Sequence, residues 1–307
     1  MKNHKKTMLI KALFVMLLWG SLIPMVKLSY KAMNINTASP ASILMFAGIR
    51  FAICGAVITA YSALKKERLC LHISKSLLPV AMMGLFSVVL HYACTYIGLT
   101  ITDSSKAAIL KQTGALFYIC FSFLFIKDET FEIRKLAGAL VGFLGIVVIN
   151  AGQGGAFSAG DALILCASIC TVASNLFSKQ AMKANSSTLA TGVSQLFGGA
   201  VLMVAAALMG GEMPVFSLAA LPLFGYICIA SIVSYCMWFA IVKNDELSGL
   251  FIIKFSEPVF AAIFGALLLH EDILKWQYGA AFVLISLGIL MSHLKKVKAI
   301  PHKCGEE

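Results

Sequence analysis

Two segments of the chain carry the same pattern of residues, and each has a lysine near its centre. Asp103–Phe117 and Glu246–Phe260 align at an offset of 143 positions, which places Lys111 on Lys254. A charge at the centre of a bilayer costs about 2.5–3.5 kcal/mol on insertion scales. One interpretation is snorkelling, in which the long side chain carries its charge to the headgroups. We favour a polar cavity that binds an anion, because each lysine lies about 12 Å inside its predicted helix.

A carboxylate follows the second lysine at helical spacing. Glu257 lies three positions after Lys254, so the two side chains can meet, and Pro258 frees a backbone carbonyl nearby. Two interpretations stay open, a structural ion pair that neutralises the lysine and a group that takes up a proton when cargo binds. Lys111 has no acid within four residues on its own helix and has Gln112 beside it. We therefore expect Lys111 to anchor an anionic group.

Other polar and aromatic side chains lie inside the apolar runs. The guanidinium of Arg50 could bind a carboxylate or phosphate bidentately or tie helices together, and Gln195 holds the corresponding place in the seventh segment. Tyr92 and Tyr235 align at the offset of 143, and their hydroxyls need partners in lipid. Trp19 belongs to the same set of aromatic residues, which either line a cavity or pack as ordinary core.

His91 is a candidate proton relay, although a single histidine can equally be satisfied by a neighbouring carbonyl. Ser21, Ser174 and Asn175 either bind cargo or bridge helices. Glu257 and His91 are the candidate residues for proton coupling. The predicted cargo-binding residues are Trp19, Arg50, Tyr92, Lys111, Gln112, Gln195, Tyr235, Lys254 and Glu257. The nine cysteines lie mostly in apolar runs and never as CxxC, so we predict neither a metal site nor a disulfide framework, and no cofactor.

The composition excludes a soluble globular domain. Hydrophobic residues make up 60% of the 307 positions, charged residues make up 13%, and the mean hydropathy is +0.89. The sequence predicts an all-α polytopic membrane protein with ten transmembrane helices. The ten apolar segments run approximately over Leu9–Leu28, Ala41–Leu64, Leu77–Tyr96, Ser105–Ile126, Leu136–Ala151, Ala162–Ala181, Leu189–Met209, Leu221–Val242, Leu247–Leu269 and Trp276–Leu294.

The basic residues set the predicted orientation. Of 25 Lys and Arg, 18 fall on one side of the predicted helices, four on the other and three within them, so the net charge of +11 is a topology signal rather than a sign of nucleic-acid binding. Both termini are predicted to be cytoplasmic. Residues 1–151 and 152–307 form the two predicted repeats of five helices each, and an odd number of helices makes the second repeat inverted.

Several short motifs at characteristic spacings carry a family resemblance. They are Leu18-Trp19-Gly20-Ser21, Gly48-Ile49-Arg50-Phe51, Glu257-Pro258-Val259-Phe260 with Glu271 beyond it, Gly138-Ala139 and Gly279-Ala280. Together they resemble the drug/metabolite transporter superfamily, specifically the EamA family of ten-helix proteins built from two inverted five-helix repeats. The resemblance implies transport of a small molecule, amino acids and other metabolites included, without naming the cargo. One departure is Ala115, which replaces the proline usual in the fourth helix.

The sequence therefore predicts a secondary transporter of the inner membrane that moves a small polar metabolite by alternating access. An amino acid or an organic anion is the expected cargo, because a cation would meet like charges in the cavity. No GxxxxGK[ST], GxSxG or HExxH motif is present in the sequence, so ATP-driven transport and hydrolysis are not supported. An integral-membrane enzyme and a sensory membrane protein stay as alternatives, and coupling to protons and the oligomeric state are left open.

Overall fold

The protein is all-helical in the part of the chain that the structure, a computed structural model, describes. Those residues are 2–67, 73–99, 101, 110–115, 117–118, 132–149, 157–244, 247–269 and 276–293, and they contain no strand. Helices suit an apolar chain in lipid because each satisfies its own backbone hydrogen bonds. Within these ranges seven helices are long and apolar enough to cross a membrane, and Gly279–Met291 is a shorter apolar stretch. The count of ten stays a prediction, since most of Ser105–Ile126 lies outside the described residues.

Within the described residues, the first half of the chain contributes six helices. They are α1 (Lys2–Ala32), α2 (Pro40–Leu64), α3 (Leu78–Gly84), α4 (His91–Leu99), α5 (described at 110–115 and 117–118) and α6 (Ile133–Ile149). α2 begins where Ser39 accepts a hydrogen bond from the backbone N–H of Ser42, with Pro40 as the first helical residue. A π-helical turn at Ile73–Leu77 precedes α3, and a second one at Leu85–Leu90 joins α3 and α4 into one continuous helix.

The second half contributes six more helices. They are α7 (Ala159–Ala184), α8 (Ser187–Leu208), α9 (Leu221–Asn244), α10 (Leu247–Ile253), α11 (Glu257–Leu269) and α12 (Trp276–His293). A reciprocal capping box between Ser158 and Asp161 begins α7. The hydroxyl of Ser186 caps α8 by accepting from the backbone N–H of Leu189. Local sequence thus fixes where these helices start.

The ninth apolar segment, predicted as one helix, is interrupted. Pro258 has no N–H to donate to the carbonyl of Lys254 four residues earlier. That carbonyl accepts from the N–H of Glu257 instead, and Lys254–Ser256 forms a 3₁₀ turn between α10 and α11. At the equivalent position of the first half stands Ala115, and residues 110–115 are regular α-helix. Pro258 therefore introduces a local difference between two otherwise matched segments.

The helices pack in pairs drawn from the two halves. α2 packs on α8, α6 on α12, α1 on α9 and α11, and α3 and α4 on α7. Glycines let α2 and α8 approach closely, since a Cβ atom at Gly55 would lie 2.2 Å from the backbone nitrogen of Leu196. Two apolar clusters make up the core, and Trp19 and Tyr235 pack against both. These two residues consequently lie at the centre of the molecule.

Candidate functional site

A cavity of about 880 Å³ opens among α1, α2, α4, α5, α7, α9 and the break between α10 and α11. Small-molecule sites commonly enclose about 300–1,000 Å³. Eight of the ten residues predicted from sequence line it, and they are Trp19, Arg50, His91, Tyr92, Lys111, Tyr235, Lys254 and Glu257. At one end it reaches the turn between α1 and α2, where Lys27 and Thr37 line it. The cavity is thus walled by residues from both halves of the chain.

Glu257 forms its ion pair with Lys111. Its Oε1 lies 3.8 Å from the Nζ of Lys111, and the side chains are 11% and 35% exposed, respectively. The expected pair between Glu257 and Lys254 is not formed, because within the described residues no ion pair below 4.0 Å joins them. α5 presents Lys111 to the start of α11, while the side chain of Lys254 extends over indole rings. The carboxylate therefore links the two halves of the chain.

Lys254 is held by aromatic rings. Its Nζ lies 5.3 Å from the ring centroid of Trp19, 5.6 Å from that of Trp238 and 5.8 Å from that of Phe251. The negative faces of aromatic rings attract a cation. In the part of the chain that the structure describes, no carboxylate pairs with this ammonium. Its ammonium therefore lies against ring faces without a close ion pair in the described residues, which leaves it able to attract an anion.

Arg50 is a buried cation that also lacks an acidic partner among the described residues. Its side chain is 3% exposed, and its guanidinium carbon lies 4.4 Å from the ring centroid of Phe51 and 5.5 Å from that of Tyr92. Its Nε has no hydrogen-bond partner. A buried donor without an acceptor is costly, and no hydrogen bond from Arg50 ties helices together in these ranges. The geometry therefore favours the anion-binding interpretation over the structural one.

The two tyrosines matched by the internal repeat meet in the cavity wall. The hydroxyl oxygens of Tyr92 and Tyr235 lie 3.2 Å apart. Trp19 packs on the ring of Tyr235 with 5.6 Å between centroids, and Tyr96 packs on Tyr92 at 5.4 Å. A continuous aromatic surface thus runs from the rings that hold Lys254 to the ring beneath Arg50.

His91 makes the carbonyl contact that the second interpretation expected. Its Nδ1 lies 3.1 Å from the carbonyl oxygen of Ala167 and 3.1 Å from Oγ1 of Thr171. A carbonyl only accepts, so its contact with Nδ1 is a hydrogen bond when Nδ1 carries a proton. These contacts hold the imidazole against α7.

The remaining polar candidates bridge helices. The Nε1 of Trp238 donates to Oδ1 of Asn175 at 2.8 Å, and Ser21 lies 2.6 Å from the hydroxyl of Tyr226. Asn175 and Ser174 also line the cavity. Gln112 and Gln195, by contrast, are buried but lie outside the residues that line it. In this structure neither glutamine therefore lies where it would contact cargo in the cavity.

Sequence reasoning missed several polar lining residues. Ser87 and Thr95, which lie four residues before and after the predicted His91, line the cavity, as do Tyr30 and Thr171. Residues at that interval share one face of a helix. The signal was present in the sequence, because the polar residues of the third segment recur on the face that carries His91.

The sequence profile of the EamA-like transporter family matches the chain twice, at residues 6–151 and at residues 158–294. The protein belongs to the EamA-like transporter family. The EamA match therefore covers both halves, including the two segments that carry Lys111 and Lys254.

Relatives of this EamA protein are named as transporters. It is 28% identical over 302 residues to the uncharacterized inner membrane transporter YedA of Escherichia coli strain K12, covering 94% of each chain. It is 27% identical over 279 residues to an uncharacterized transporter of Archaeoglobus fulgidus, covering 87% of this chain and 91% of the other. These names support a transporter role and specify no substrate.

A solved structure shares the fold. Its chain superimposes with a TM-score of 0.75 at 16% sequence identity, covering 94% of this EamA chain and 96% of the other. At that identity the similarity concerns the arrangement of helices. The cavity and its residues are therefore interpreted from this chain's own geometry.

Proposed function

We propose that the protein is a secondary transporter that carries a small polar metabolite, an amino acid or an organic anion, across the inner membrane by alternating access. The observation that carries the proposal is the cavity of about 880 Å³ lined by Arg50, Lys111, Lys254 and Glu257. Membership of a transporter family and the name of the relative YedA support transport and its location. On this proposal the cargo crosses the membrane chemically unchanged.

The charges of the cavity favour an anionic cargo. Its described lining contains the cations Lys27, Arg50, Lys111 and Lys254 and the single acid Glu257. A cationic cargo would meet like charges there and would have to compete with Lys111 for the one carboxylate. An anionic group instead gains two cations that no carboxylate neutralises within the described residues.

The proposed architecture is ten helices in two inverted repeats with both termini cytoplasmic. Two residue pairs at the offset of 143, Tyr92 with Tyr235 and Lys111 with Lys254, line one cavity, as a pseudo-twofold axis through it would require. In that orientation the turn between α1 and α2 faces outward. The cavity reaches this turn, which supports an outward-open state on the proposed orientation.

Coupling to protons is proposed to run through Glu257. An anionic group that engages Lys254, three residues before Glu257, would repel that carboxylate and loosen its ion pair with Lys111. A carboxylate left without its counter-charge in a buried site favours its protonated form. Cargo loading would then be linked to uptake of one proton. His91 is the other candidate for this role.

Transport by purified protein in proteoliposomes tests this proposal. Wild-type protein should exchange internal for external organic acids or amino acids and accumulate them under an imposed pH gradient. Glu257→Gln, which mimics the protonated acid, should keep exchange and lose accumulation driven by the gradient. Glu212→Gln, an exposed residue outside the cavity, is the matched control. Full accumulation by Glu257→Gln would exclude Glu257 as the coupling group, and the absence of exchange by wild-type protein would contradict transport of these cargoes.

A further inference from the structure

Two cations of the cavity, Arg50 and Lys254, are left without a carboxylate in the described structure. Glu257, the one acid of the described lining, lies 3.8 Å from Lys111. Arg50 is 3% exposed, and its Nε has no hydrogen-bond partner. Lys254 contacts the rings of Trp19, Trp238 and Phe251. The cavity therefore offers two separate positive centres, each lacking an anion.

One aromatic surface connects these two centres. Trp19 lies under Lys254 and packs on Tyr235 at 5.6 Å between centroids. The hydroxyl of Tyr235 meets that of Tyr92, whose ring lies 5.5 Å from the guanidinium of Arg50. Of the two hydroxyl protons, one is used between the tyrosines and the other is available to a ligand. The result is an apolar platform with a cation at either end and a free hydrogen-bond donor near Arg50.

We propose that the cargo is an organic dianion, a dicarboxylate whose two acid groups engage Arg50 and Lys254 at the same time. One carboxylate accepts from the guanidinium of Arg50 and from the tyrosine hydroxyl pair, and the other lies against the ammonium of Lys254. The hydrocarbon link between them packs on Trp19 and Tyr235. This inference rests on the proposed function and narrows its cargo.

Two observations favour a dicarboxylate over related cargoes. A zwitterion carries an ammonium that needs an acid, and Glu257 is already engaged by Lys111. A phosphate carries close to two charges and three strong acceptor oxygens, which several donors must satisfy. The contacts described for Lys254 are ring faces, with the unpaired Nε1 of Trp19 as an additional donor, which is fewer than a phosphate needs. Two single-charge carboxylates match the two single-charge cations.

Tryptophan fluorescence measures the proposed contact directly, because Trp19 and Trp238 touch Lys254. Trp276, which is 72% exposed and outside the cavity lining, is removed as background by Trp276→Phe. Purified protein carrying this change is titrated with succinate, glutarate and adipate and with the monoamides succinamate and glutaramate. The zwitterion 4-aminobutyrate is titrated alongside them. We expect the best dicarboxylate to bind at least about tenfold more tightly than its monoamide and than the zwitterion. That difference in affinity corresponds to the contribution of one charge-assisted hydrogen bond.

The variants Arg50→Gln and Lys254→Gln test whether each of these two cations binds one carboxylate of the cargo. Each should remove the preference for dicarboxylate over monoamide, whereas Arg134→Gln, outside the cavity lining, should leave it intact. Equal affinity of diacid and monoamide for the unaltered cavity, or a preference that survives both glutamine variants, overturns the proposal. The comparison of diacid with monoamide uses protein with an unaltered cavity, so misfolding of a cavity variant cannot mask its result. If monoanions are exchanged in proteoliposomes as well as dianions, the dianion proposal fails while the transporter proposal stands.

Discussion

Glu257 and the two lysines that face its cavity form an asymmetric set of charges. The distance of 3.8 Å between Glu257 and Lys111 exceeds the 2.7–2.9 Å of a charge-assisted hydrogen bond. The pair is therefore held by charge attraction without a close hydrogen bond. Gly114 occupies the position that matches Glu257 in the first half, where a Cβ would lie 2.5 Å from the carbonyl oxygen of Ser168. Close contact with α7 leaves no room for a second acid.

A double-mutant cycle tests the ion pair. Lys111→Met leaves Glu257 without its partner and should lower the free energy of unfolding by about 1–3 kcal/mol. The lower part of that range is expected, because the side chain of Lys111 is 35% exposed and solvent screens it. Adding Glu257→Gln should restore most of the loss, measured by unfolding in detergent. Lys183→Met, at an exposed position, is the control. Additive effects of the two changes would show that the residues are not coupled.

Single residues of the cavity were identifiable from sequence because charges and paired tyrosines are rare in apolar runs. Lys111, Lys254 and Arg50 were found in this way. The partner of Glu257 was not, since residue spacing describes neighbours on one helix and Lys111 reaches Glu257 from another. For the same reason Gln195 was included although it lies outside the cavity lining.

Close helix packing sets the frame that holds these side chains. α2 and α8 meet through Gly55 and Gly199, where added Cβ atoms would lie 2.2 Å and 2.3 Å from backbone nitrogens. Arg50 lies on α2, so this packing fixes its position relative to α9 and the cavity. Helix association in lipid depends on such contacts, because lipid supplies no hydrophobic drive between helices.

Alanine at either glycine should therefore separate the two helices. We expect Gly55→Ala or Gly199→Ala to lower the free energy of unfolding by about 1–3 kcal/mol, the usual cost of overpacking. Gly225→Ala is the matched control, since a Cβ there meets nothing within 4 Å and the residue lies within α9. Unfolding in detergent measures all three. Losses no larger than that of the control would show that α2 and α8 adjust freely.

The apolar blocks predicted most helix positions to within a few residues, because membrane spans are long and uniformly apolar. The π-helical turn at Leu85–Leu90 was not predicted, since a shift in hydrogen-bond register leaves the apolar pattern unchanged. The 3₁₀ turn at Lys254–Ser256 was only partly foreseen: Pro258 indicated a free carbonyl, but not the interruption of the helix.

At the scale of the whole molecule, orientation decides which side of the membrane the cavity faces. Tyr92 and Tyr235, which align at the offset of 143, meet in the structure. The orientation itself is inferred from the distribution of Lys and Arg, 18 against four. Labelling of the loops measures this orientation directly.

Reporter fusions or labelling of introduced cysteines in intact cells give that measurement. Residues 64–76 and 127–135 should be cytoplasmic, and residues 152–160 should be outside, because the first two loops are rich in Lys and Arg. Labelling of both basic loops from outside would reverse the orientation and make the present cavity inward-facing.

The central claim is that this cavity binds an anionic cargo, and thermal unfolding of the purified protein with size-matched ligands tests it most directly. Organic anions should raise the unfolding temperature, since a ligand at 100 times its Kd stabilises the folded state by about 2.7 kcal/mol. Cations of the same size should not, and Lys254→Met should abolish the effect while Lys183→Met keeps it. Stabilisation by cations in place of anions, or by anions equally in Lys254→Met, would contradict the account.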